Sequence, residues 1–89
     1  MSMLLTSEAI LDKVTRAFAP YHVVAELQDY HNKLGFRVYD LDGETIETFE
    51  GSLIRDLRTP ANLKKLILEA RAVVERRKRI LKPWAFESV

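Results

Sequence analysis

From Thr59 to Leu81 the chain reads TPANLKKLILEARAVVERRKRIL, one long helical pattern that is apolar along one stripe at first and strongly basic afterwards. Thr59 offers a hydroxyl to cap the first free amides. Pro60 stands at the first helical position, where its missing N–H costs nothing and its fixed φ suits a helix. Leu63, Leu66, Ile67, Ala70, Val73 and Val74 recur at three- and four-residue spacing until the stripe meets Arg77. Burial is therefore expected to end near Val74, with the helix running on to Leu81 and stopped by Pro83. A helix with one apolar stripe needs a second layer to cover it, and the rest of the chain must supply that layer.

The residues before it divide into one helix and three strands. Thr6 or Ser7 caps a helix from about Ser7 to Ala19, with Leu5 and Ile10 at the positions of a hydrophobic staple and Pro20 ending it. From Tyr21 the period becomes two: Tyr21, Val23, Ala25 and Leu27 alternate with His22, Val24, Glu26 and Gln28. After a polar turn at DYHNK, Leu34, Phe36 and Val38 repeat the alternation, and Asp40-Leu41-Asp42-Gly43 signals a hairpin into a third strand, Glu44–Phe49. A three-residue loop, Leu41–Gly43, sets Val38 opposite Ile46 and Phe36 opposite Thr48. A two-residue Asp-Gly loop sets Val38 opposite Glu47 and drives a carboxylate toward the core, so the longer loop is favoured. Phe49 breaks the alternation, which marks a bulge or the strand end, and Leu53, Ile54 and Leu57 suggest a helical turn before Thr59. The solvent face of the sheet is expected to hold Glu26, Arg37 and Glu47. The predicted fold is α+β in the order α-β-β-β-α, an antiparallel three-stranded meander with two helices packed on one face.

Its 89 residues make a single domain, with residues 1–5 and 83–89 as loose tails and a core small enough for dimerisation to be a natural support. Without cysteine the chain has no disulfide, thiolate nucleophile or Cys-based metal site, and the cytoplasm is the expected compartment. MSMLL is too short for a signal peptide, and no apolar run approaches the roughly eighteen residues of a membrane span. The net charge of +1 hides an uneven layout. Residues 21–50 carry seven acids against Lys33 and Arg37, a local −5, whereas residues 71–89 carry a local +4, which suggests a dipolar molecule with a basic end.

Little in the pattern points to catalysis, and no catalytic, cofactor or metal residues are assigned. His22 and His31 have no metal or triad spacing, the acids from Asp40 to Glu50 lack a calcium-loop ladder, and the three glycines are isolated rather than gathered into a phosphate loop. Two features point to partners instead. Arg71, Arg76, Arg77, Lys78 and Arg79 can neutralise phosphates, and Lys64 and Lys65 stand in the first turn of the helix, at its positive dipole end. Trp84 and Phe86, just past Pro83, are large aromatics on a tail; they fold back on their own chain or insert into a second subunit as a dimer interface.

The α-β-β-β-α order resembles the double-stranded-RNA-binding domain, in which lysines near the start of the last helix contact phosphates and a His-containing loop touches the minor groove. That resemblance assigns the lysine role to Lys64 and Lys65 and the loop role to His31. Arg16–Val23 (RAFAPYHV), Arg37–Gly43 (RVYDLDG) and Asp56–Val74 (DLRTPANLKKLILEARAVV) are similar to small bacterial families of unknown function that recur in pseudomonads. That similarity implies no activity. The expectation is a non-enzymatic binding or regulatory module working by protein–protein contact, self-associating as a homodimer, with no membrane partner. The alternative is a nucleic-acid-binding module using the seven cations named above.

Overall fold

The structure, a computed structural model, describes residues 4–85. In chain order it comprises α1 (Ser7–Arg16), β1 (His22–Gln28), β2 (Lys33–Tyr39), β3 (Thr45–Leu53), α2 (Ile54–Leu57) and α3 (Pro60–Arg76). The strands form one antiparallel sheet in the order β1-β2-β3, an α+β meander as expected. The inward residues Val23, Leu34, Phe36, Val38 and Ile46 share one core with Ile10 and Val14 of α1 and Leu63, Ile67, Ala70 and Val74 of α3. Both long helices therefore cover the same face, and among the described residues no helix covers the opposite face of the sheet. Phe36 is central to this core, 5.7 Å from the ring of Phe18 and stacked at 4.7 Å on Phe49.

α1 starts as its sequence dictates, with Thr6 Oγ1 accepting the Ala9 N–H at 3.1 Å and Leu5 and Ile10 both buried. It ends at Arg16 rather than Ala19. Ala17 closes the last turn, and the chain bends inward so that Ala17 and Phe18 are fully buried ahead of a cis Ala19–Pro20 peptide.

The β2–β3 loop is the expected Leu41–Gly43, closed by hydrogen bonds from Asp40 N–H to Glu44 O and from Gly43 N–H to Asp40 O. The pairing beyond it differs from expectation. Val38 lies opposite Glu47 and Phe36 opposite Phe49, because an extra residue enters β3 at Ile46. Ile46 is still buried, so the bulge keeps an apolar side chain on Val38 while Glu47 also turns to the inner side. β3 then runs past Phe49 to Leu53 by means of a second irregularity, where Gly51 takes φ 85°, a conformation that costs a glycine little. The turn anticipated around Leu53 to Leu57 is α2.

α3 opens with Pro60, but the Thr59 hydroxyl makes no cap bond. The Asn62 side-chain amide instead donates to Asp56 O at 2.8 Å and ties α3 to α2. α3 stops at Arg76, well short of Leu81: the Arg77 N–H bonds to Val73 O and Val74 O, and Lys78 turns left-handed at φ 61°. Past Val74 the stripe has nothing apolar left to bury along the helix. Reversing the chain brings Leu81 and Trp84 against the core instead.

Candidate functional site

The segment after α3 is where the sequence places most of its candidate contacts, and it lies as a strap across the molecule. Arg77 meets Glu47 at 2.9 Å and Arg79 meets Asp40 at 3.2 Å. The Ile80 N–H donates to Tyr21 Oη at 3.1 Å and the Lys82 N–H to Ala19 O at 2.9 Å. Arg71, one turn before the end of α3, works from the other side. Its guanidinium donates to Ala17 O and, at 2.9 Å, to Lys82 O, and lies 5.7 Å from the centroid of the Trp84 ring. Thus the acidic middle and the basic end of the sequence meet in space at two ion pairs, which shortens the charge separation that the sequence suggests.

Both partner acids are held ionised. Asp40 titrates below its ordinary range, chiefly because the Glu44 N–H bonds to its carboxylate, with Asp42 N–H and Arg79 adding to the effect against some desolvation. Glu47 is lowered by the Thr48 N–H first and by Arg77 second. At neutral pH neither holds a proton to give, so both serve the strap and the hairpin.

The seven candidate cations do not form one surface. Arg71, Arg77 and Arg79 are engaged within the chain, whereas Lys64, Lys65, Arg76 and Lys78 are exposed and make no ion pair among the described residues. Lys64 and Arg76 are also separated by about 18 Å of helix. Lys64 and Lys65 do lie toward the same end as the β1–β2 loop that carries His31, since Asn32 O accepts the Ile54 N–H at 2.9 Å beside α2. Of the tail aromatics, Trp84 is half-buried against its own core, and Phe86 lies outside the described residues.

The open face of the sheet is the other surface. Val24, Glu26 and Gln28 of β1, Arg37 and Tyr39 of β2, and Thr48 of β3 line a shallow groove of about 200 Å³. Its floor is Gly35, where an added Cβ would stand 2.7 Å from the Gln28 amide nitrogen; Gln28 lies over the missing side chain and donates to Glu26 Oε1 at 3.2 Å. Arg37 Nε donates to Thr48 Oγ1 at 3.1 Å across the strands. Glu26 and Arg37 lie on this face as expected, and Glu47 does not, because the bulge at Ile46 reverses its side. The groove escaped the sequence reading, since nothing in the alternation marks Gly35 as a notch that a neighbouring strand fills.

Set beside known proteins, the chain matches no family model, no curated protein and no solved structure. Among the described residues no three His, Cys, Asp or Glu side chains gather to hold a metal ion, and no helix is long and apolar enough to cross a membrane.

Proposed function

We propose that this chain is a small, non-enzymatic binding or regulatory module of the cytoplasm, which acts by protein–protein contact and self-associates as a homodimer. The observation that carries this reading is the uncovered outer face of the sheet. An α+β meander has one face for its helices, and here the other presents Val24, 48% exposed, beside a ready groove. The test is light scattering at high protein concentration, where twice the chain mass is expected; a monomeric mass refutes self-association.

Nucleic-acid binding is the second reading, supported by the four exposed cations Lys64, Lys65, Arg76 and Lys78. Titrating duplex RNA or DNA with salt decides it. Four phosphate contacts give a slope of log K against log salt no steeper than about −4, and an absence of binding at low salt ends that reading.

A further inference from the structure

The two edges of the sheet differ. β3 is interrupted by two irregularities, at Ile46 and near Gly51, and a bent, bulged edge is a poor template for another strand. β1 has neither device. All seven of its residues pair with β2 in unbroken register, and His22–Gln28 contains no lysine and no proline. Among the described residues no backbone hydrogen bond reaches His22–Leu27 from its open side; the strap stops short, at Ala19 O. A regular unpaired edge of this kind has a row of N–H and C=O groups free for a partner strand.

We infer that the open edge of β1 pairs antiparallel with β1 of a second copy, about a two-fold axis at Val24, joining two meanders into one six-stranded sheet. This specifies the surface of the self-association proposed above and rests on that reading. The register follows from side-chain chemistry. With Val24 on the axis, Val24 meets Val24 and His22 meets Glu26 twice on the outer face, a hydrogen-bonding pair with no like charges opposed. On the inner face Val23 meets Ala25 and Tyr21 meets Leu27, and Ala25 and Leu27 of the strand, with Tyr21 just before it, are left only partly covered by the chain. An axis at Ala25 sets Val24 against Glu26 and Tyr21 against Asp29; one at Val23 leaves Glu26 facing Pro20. Of the three, only the Val24 register matches polar with polar and apolar with apolar on both faces from Tyr21 to Leu27, with Gln28 at the end of the strand facing Pro20. Because the axis is normal to the sheet, both copies keep their helices on one side and the two outer grooves become continuous.

The chain has no cysteine, so a single introduced thiol reports on the register directly. In the Val24 register, V24C places two Cβ atoms about 5 Å apart, and mild oxidation should link the dimer at least about tenfold faster than E50C, which lies on the outer face of the other edge. V24K, on an exposed position, should keep the circular dichroism of the wild type and return the light-scattering mass to one chain. A dimeric wild type whose mass V24K leaves unchanged, with V24C no faster than E50C, overturns this edge and leaves self-association standing. A monomeric wild type with slow V24C overturns both.

Discussion

Replacing Arg71 with methionine separates a structural arginine from a phosphate-binding one. Its guanidinium donates to Ala17 O and Lys82 O and lies over Trp84, so it joins the end of α1, α3 and the strap. A hydrogen bond from a charged donor contributes about 1.5 kcal/mol at the low end of its range, as suits a half-buried site, and the contact with the indole about 0.5 kcal/mol. Methionine keeps the packing of the stem but neither hydrogen bond nor the indole contact, so R71M should lose roughly 3.5 kcal/mol, a fall in Tm of about 14–28 °C for a domain of this size. R71K should lose about half as much, because an ammonium is a point donor that cannot span two carbonyls as the planar fork does. Urea unfolding followed through Trp84, the single tryptophan, measures both variants. If R71M changes stability by less than about 0.5 kcal/mol, as an ordinary surface substitution does, the clamp is wrong and Arg71 is again free to bind a partner.

The ion pairs make the strap sensitive to acid. Asp40 and Glu47 have folded-state values below their ordinary 3.8 and 4.5, so their contribution is complete above those values and is lost as pH falls through the lower folded ones. The Trp84 emission should therefore be constant from neutral pH down to the ordinary carboxylate range and change below it; a transition centred above that range would contradict the assignment. Two glycines should respond oppositely. G51A forces a side chain into φ 85° and should cost about 1 kcal/mol or more, whereas at Gly35 the obstacle is the flexible amide of Gln28, which can swing away, so G35A should stay within about 0.5 kcal/mol in urea unfolding.

The helices and strands were legible because their signals are local: the Thr6 cap, the period of two through β1 and β2, Pro60 at the start of α3, the stripe from Leu63 to Val74. The Leu41–Gly43 loop was legible for the same reason. Where reading failed, two segments distant in the chain had to meet. The bulge at Ile46 sets Glu47 opposite Val38 and within 2.9 Å of Arg77, and the turn at Lys78 brings Leu81 and Trp84 against the core, contacts that no local pattern contains. What fills the Gly35 notch, the side chain of Gln28 from the neighbouring strand, is likewise decided by pairing rather than by local sequence.

By itself, then, the sequence determined that this is an α+β meander with its helices on one face, where α1 and α3 begin and, to within one residue, where each strand begins. Propensity, capping and periodicity act within a few residues and need no knowledge of the fold. Only the tertiary structure decided the use of the charges. Acids at positions 40 and 47 and arginines at 77 and 79 are 30 or more residues apart along the chain, yet within 3.2 Å in space. A coulombic pair depends on separation in space and on the local dielectric, neither of which a linear tally of charge contains. Among the described residues, the same folding that joined them left the edge of β1 unpaired.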